Sequence, residues 1–308
     1  MSETGAALPV VALVGRPNVG KSTLFNRLTR SRDALVADQP GVTRDRQYGY
    51  GAHAGQRFIV VDTGGIGQDD EDIDARALAQ TEAALAEADV VLLVVDFRQG
   101  IMAGDEAIAE QLRRRGAHVF VAVNKSEGQT SVSAAAEFHA LGLGDPWAIS
   151  AEHGDRIRLL LEQVFTDLPA PRAAITAHRA DAIRLAVLGR PNAGKSTLVN
   201  RLIGNDRMLT QDAPGTTRDA VASEFMFKNK PYVIVDTAGV RRRARVDDHI
   251  EKISVVKAMQ AAEQAQIVLL IIDGVNGLSA QDIRLLNLAV ERGRAAVIAV
   301  NKWDGLSE

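Results

Sequence analysis

Hydrophobic residues along this chain gather in short continuous runs, separated by longer stretches with helical spacing. VVALV (10–14), FIVV (58–61), VVLLVV (90–95), VFVAV (119–123) and WAI (147–149) are apolar on both faces, the pattern of strands buried in a parallel sheet. Residues 21–28, 75–87, 105–115 and 156–165 space their apolar positions for helices between those strands. The pattern then recurs: RLAVL (184–188), YVIV (232–235), IVLLII (267–272) and AVIAV (296–300) predict a second set of strands. Alternating strands and helices imply an α/β fold, a mostly parallel sheet flanked by helices and joined by right-handed crossovers.

The recurrence extends to the polar residues. GRPNVGKST at 15–23 returns as GRPNAGKST at 189–197, PGVTRD at 40–45 as PGTTRD at 214–219, and DTGG at 62–65 as DTAG at 236–239. The spacing is 174 residues in all three cases. NKSE at 124–127 returns as NKWD at 301–304, a spacing of 177. A register shared by four motifs is the mark of an internal repeat. We read residues 1–168 as one nucleotide-binding domain, 169–182 as a linker containing Pro169 and Pro171, and 183–308 as a second copy. Positions 132–167 of the first copy have no counterpart before Glu308, so the second domain is expected to lack its last strand, turn and helix, and the chain to be a fragment of a longer protein.

Bulk properties narrow the function classes. A net charge of −3 offers no overall attraction for DNA, and with no cysteine there is no disulfide or thiol chemistry. The longest apolar runs have six residues, against the roughly 20 needed to span a bilayer, so no membrane partner is expected and the cytoplasm is the expected location. The histidines show no metal-ligand spacing.

Each motif carries definite chemistry. In the P-loops, Gly15, Arg16, Pro17, Asn18, Val19, Gly20, Lys21, Ser22 and Thr23, with Gly189, Arg190, Pro191, Asn192, Ala193, Gly194, Lys195, Ser196 and Thr197, are expected to wrap phosphates in backbone N–H groups. Lys21 and Lys195 would reach the β- and γ-phosphates, and Ser22 and Ser196 would bind Mg²⁺. Asp62 and Asp236 end apolar strands where a carboxylate can hold the metal. Thr63, Gly64, Gly65 and Ile66, with Thr237, Ala238, Gly239 and Val240, follow them toward the γ-phosphate. Thr43 and Thr217 are placed in loops, where a hydroxyl can complete the metal shell. Loss of the γ-phosphate would release both loops, an order–disorder switch.

N-K-x-D selects the base, because its carboxylate accepts from guanine N1–H and the exocyclic amine, a donor pair adenine lacks. Here the motifs are Asn124, Lys125, Ser126 and Glu127, and Asn301, Lys302, Trp303 and Asp304. The asparagines can read the base or brace the P-loop, and the lysine stems can cover the ring. Glu127 adds a methylene, so weaker guanine selectivity is expected in the first site. Ser150 and Ala151 can present a backbone N–H to guanine O6.

The order GxxxxGKS, T, DxxG, NKxD, SA resembles that of the Ras-like GTPases, which implies two tandem Ras-like P-loop G domains. PGxTRD and the Asn of GRPN resemble the branch that includes the Era and MnmE-like proteins. The tandem arrangement, with DTAGVRRRARV at 236–246, is similar to the Der (EngA) family of ribosome-assembly GTPases. That resemblance implies GTP and GDP with Mg²⁺, hydrolysis of GTP to GDP and phosphate, the large ribosomal subunit and its rRNA as partners, and a C-terminal KH-like domain absent here. Ras-like GTPases carry a glutamine after DxxG; Ile66 and Val240 stand there instead, so intrinsic hydrolysis is expected to be slow. In MnmE-like proteins a P-loop asparagine helps to bind K⁺; Asn18 and Asn192 match it, so K⁺ stimulation is expected, with capping of the loop as the plainer alternative.

The segments after DxxG differ in charge: Asp69, Asp70, Glu71, Asp72 and Asp74 in the first copy, Arg241, Arg242, Arg243 and Arg245 in the second. They read as solvated loops, or as surfaces whose contact with RNA or with the other domain depends on nucleotide. Beside the GTPase reading stands another, a guanine-nucleotide-dependent interaction module with one catalytically silent site.

Overall fold

The structure is a computed structural model and describes residues 7–29, 35–39, 42–63, 82, 85–168, 181–204, 223–235 and 255–305. The chain divides into two compact units, Leu8–Ala170 and, apart from a few N-terminal residues, Pro171–Glu308.

In the first unit the strands are β1 (Val10–Val14), β2 (Leu35–Gln39), β3 (Val42–His53), β4 (Gln56–Asp62), β5 (Val90–Asp96), β6 (Val119–Asn124) and β7 (Trp147–Ala148). The helices are α1 (Lys21–Thr29), α2 (Ala103–Arg114), α3 (Ser131–Ala135) and α4 (Ile157–Asp167). The sheet order is β2-β3-β4-β1-β5-β6-β7. Pairing is parallel from β4 through β7, and β2 and β3 join antiparallel at one edge. The five residues of β1 are all buried, as expected of a strand covered on both faces. Phe25 and Leu24 of α1 and Leu160 and Val164 of α4 pack on Val11, Leu13, Phe58 and Val60 to form the core on one face.

The second unit repeats this order from one edge. It contains β8 (Ile183–Gly189), α5 (Lys195–Gly204), β9 (Ser223–Phe227), β10 (Lys230–Ile234), α6 (Val255–Gln264), β11 (Ile267–Asp273), α7 (Ala280–Glu291) and β12 (Ala295–Asn301). Its order, β12-β11-β8-β10-β9, matches β6-β5-β1-β4-β3. Where β6 lies between β5 and β7, β12 is an edge strand, with Val297 and Ile298 about half exposed.

Three strands escaped the apolar-run criterion: β2, β3 and β9. They belong to the antiparallel part of each sheet, and their sequences, LVADQ, VTRDRQYGYGAH and SEFMF, hold no long apolar run. Thr43, expected in a loop, is instead a residue of β3, which pairs with β2 from Val42 onward. The helix expected at 75–87 lies for the most part outside the described residues, as do most of the linker and both charged segments after DxxG. Among the described residues no helix is long and apolar enough to cross a membrane.

Candidate functional site

Two loop–helix cradles stand at the C-terminal ends of β1 and β8. Each passes from a strand through a glycine-bounded turn into a helix N-terminus, the standard geometry for an anion. Their backbones agree residue by residue: φ is 147° at Gly15 and 150° at Gly189, 63° at Asn18 and 59° at Asn192, 98° at Gly20 and 94° at Gly194. Asn18 and Asn192 thus occupy the left-handed region, which asparagine tolerates better than most side chains. The backbone alone accounts for that residue type.

Lys21 is nearly fully buried, and its Nζ donates to the carbonyl oxygens of Gly15 (2.8 Å) and Arg16 (2.7 Å). Burial lowers its pKa from 10.5 to about 8, a shift that Asp62 opposes and the nearby Arg16 reinforces. A buried ammonium without full charge compensation is a strong anion ligand, so the cradle fits a phosphate group. Lys195 is also buried and donates to Arg190 O at 2.5 Å. Ser22 Oγ donates to Asp62 Oδ2 at 2.8 Å, which joins the expected metal-binding hydroxyl to the carboxylate at the end of β4. These oxygen donors suit Mg²⁺. Thr63 Oγ1 donates to Leu13 O (2.9 Å) and ties the end of β4 to β1.

The loop after β6 braces the cradle. Asn124 Nδ2 donates to Val19 O at 2.8 Å while its Oδ1 accepts from Ala151 N at 2.8 Å. Lys125 Nζ donates to Asn18 O (2.8 Å) and to Asp96 Oδ2 (2.6 Å). In the second unit Asn301 Nδ2 reaches Ala193 O at 2.8 Å, and Lys302 Nζ reaches Asp273 Oδ2 at 2.7 Å. Lys302, followed by Asn276, holds the Asp273 carboxyl far below the usual carboxylate range. Of the two roles open to the asparagines, the structure displays the brace. Ser126 Oγ donates to Ile149 O (2.8 Å), and Glu127 is paired with Arg98. Trp303 and Asp304, in a 3-10 turn, are exposed.

In the Ser150–Ala151 turn, Ser150 N donates to Asp155 O (3.2 Å) and Ala151 N to Asn124 Oδ1 (2.8 Å), so Asn124 ties the turn to the P-loop.

The sequence reading overlooked four acidic residues on which these loops depend. Asp105, at the start of α2, holds Arg16, and Asp282, at the start of α7, holds Arg190. Asp96 and Asp273 anchor the lysines of the base loop. Each pair is spaced by 177 residues, so the register of NKSE and NKWD would have exposed them. Gly64, Gly65, Ile66, Thr217, Asp236, Thr237, Ala238, Gly239, Val240 and the side chain of Thr43 lie outside the description.

The doubled fold and the doubled cradle define a class, tandem P-loop G domains of the Ras-like kind. The chain belongs to the family described as 50S ribosome-binding GTPase, whose sequence model matches residues 10–125 and again 184–302. It is 50% identical over 301 residues to a protein of Legionella pneumophila (strain Corby) named GTPase Der, covering 98% of this chain and 65% of that one. A protein of the same name from Acinetobacter baumannii (strain SDF) is 49% identical over 300 residues, covering 97% and 64%. The chain therefore spans just under two thirds of the length of these relatives. Among solved structures it aligns with Aquifex aeolicus Era bound to GDP·AlF4⁻, with a TM-score of 0.44 and 19% identity over 96% of this chain and 92% of that one.

Proposed function

We propose that each unit binds GTP and hydrolyses it to GDP and phosphate, and that the chain acts as a nucleotide-dependent switch in assembly of the large ribosomal subunit. The observation that carries the reading is the doubled cradle, with a buried lysine at its centre and the loop after β6 or β12 hydrogen-bonded to its rim. Lys21 and Lys195 would neutralise phosphate charge, and Glu127 and Asp304 would accept from guanine. Ser22, Thr43 and Asp62, with Ser196, Thr217 and Asp236, would hold Mg²⁺, which would offset phosphate charge. Gly65 and Gly239 would let the backbone approach the γ-phosphate.

K⁺ stimulation is part of the proposal, through Asn18 and Asn192; equal hydrolysis rates in KCl and NaCl at matched ionic strength would remove it. The partners proposed are the large subunit and its rRNA, and the location the cytoplasm. Support comes from the family's description and from the relatives' similarity over nearly the whole of this chain.

The deciding experiment is titration of a fluorescent GDP analogue onto the protein, with GTP, ATP and XTP as competitors. GTP should displace the probe far better than ATP or XTP. Hydrolysis by Lys21→Ala and Lys195→Ala, measured separately, tells two working sites from one working and one silent. Absence of guanine-nucleotide binding in Mg²⁺ and K⁺ buffer would overturn the reading.

A further inference from the structure

We infer that Arg98 is a positioning residue for guanine recognition in the first unit, holding the carboxylate of Glu127 where the base must meet it. This rests on the guanine-binding reading above and deepens it.

The first observation is the pair itself. Arg98 Nη2 donates to Glu127 Oε1 across the gap between the loop after β5 and the loop after β6. Ser150 also helps to keep the Glu127 carboxyl charged. The backbone hydrogen bond of Glu127 itself, then Arg98 and Ser150, keep the carboxyl below its usual range although the side chain is partly exposed. A glutamate has one more rotatable bond than aspartate, and an exposed one samples many rotamers. Tethering Oε1 from one side fixes the plane of the carboxylate and leaves lone pairs for a further donor pair, since an ionised carboxylate has about four acceptor sites.

The second observation comes from the other half of the chain. Arg98 N donates to Asp96 Oδ1 at 2.9 Å, and Val275 N donates to Asp273 Oδ1 at 3.0 Å, so Arg98 and Val275 occupy the same structural position. Glu127 and Asp304 are equivalent in the motif register. The long carboxylate thus comes with an arginine and the short one with a valine, while the asparagine-to-P-loop and lysine-to-aspartate contacts beside them recur in both units. The extra methylene and the extra guanidinium form a matched set.

The test uses the full chain carrying Lys195→Ala, so that the first unit alone reports, with GDP, IDP and ADP competing against a fluorescent GDP analogue. Arg98→Ala should weaken GDP about two- to fivefold, the scale of one exposed ion pair. IDP, which lacks the exocyclic amine, should lose less, so the GDP-to-IDP ratio narrows. Arg98→Lys should keep part of the ratio. Arg98→Val combined with Glu127→Asp, the pair found in the second unit, should restore it. Unchanged or tighter GDP binding by Arg98→Ala would overturn the inference, as would equal losses for GDP and IDP, the result of a merely loosened loop. A parent protein that does not prefer GDP to ADP would overturn the guanine reading itself, and this inference with it.

Discussion

Asp105 accepts the Nε of Arg16 at 2.9 Å, and the carboxylate that does so has no exposure to solvent. The pair ties the second residue of the P-loop to the first turn of α2, where Asp105 Oδ2 also accepts Met102 N at 3.1 Å. Arg190 and Asp282 repeat the ion pair, with Nε 3.0 Å from Oδ2, and Asp282 accepts from Ser279 N at 2.9 Å. Removing one member of a buried pair leaves the other uncompensated. Asp105→Ala should therefore destabilise the first unit by on the order of 3 kcal/mol, read from urea unfolding. Arg16→Ala with Asp105→Ala should cost less than the sum of the single changes.

The depressed pKa of Lys21 predicts a proton signature. Near pH 8.5 the ammonium is largely neutral in the free protein, and bound phosphate would raise its pKa again. Calorimetry in buffers of different ionisation heat should show proton uptake on GDP binding at that pH and none at pH 6.5, where both forms are charged. The same shift makes an unfolding prediction. The charged lysine is disfavoured in the fold, so its penalty is complete below about pH 8 and relieved as pH rises toward 10.5.

Asn124 supplies both ends of its amide to structure, Val19 O on one side and Ala151 N on the other. Asn124→Ala should cost about 1–3 kcal/mol for the buried partners left unmet, and weaken GDP binding to the first unit. Fluorescent GDP titration and thermal unfolding of the same variant separate the two effects.

A methyl group at position 20 has nowhere to go. A Cβ on Gly20 would sit 2.2 Å from Asn124 Nδ2 at a φ of +98°, and one on Gly194 would sit 2.0 Å from Asn301 Nδ2 at +94°. Gly20→Ala should abolish GDP binding by the first unit. Adding Asn124→Ala should recover stability only in part, because the left-handed backbone still costs roughly 1–2 kcal/mol.

Asp273 predicts acid sensitivity in the second unit. Its carboxyl is depressed first by Lys302 and then by Asn276, so its contribution is present above the ordinary aspartate range and is lost as pH falls below about 4. Asp273→Asn should flatten that part of the stability–pH profile measured by circular dichroism.

The chain's pattern announced the parallel core because strands covered on both faces must be continuously apolar, as β1 and β5 are. It hid β3, whose twelve residues run VTRDRQYGYGAH and pair antiparallel at the sheet's edge. The P-loops and the N-K-x-D motifs were legible because glycine, lysine and asparagine at fixed spacing have few other uses. Asp96 and Asp105 were missed although the register repeats them, since a single acidic residue at a strand's end or in a helix's first turn has many other uses.

By itself the sequence determined that there are two copies of one α/β unit, where each cradle lies and which residue types line it, because those features depend on order and spacing along one strand–loop–helix segment. The tertiary structure decided the rest: that Asn124 braces the P-loop, that Arg16 is held by Asp105, and that Arg98 holds Glu127. Those partners lie 105, 89 and 29 residues apart and meet only when the sheet sets the ends of β1, β5 and β6 side by side. Hydrogen bonds and ion pairs act over a few ångströms, so their partners are chosen by strand order in space, which spacing along the chain does not encode.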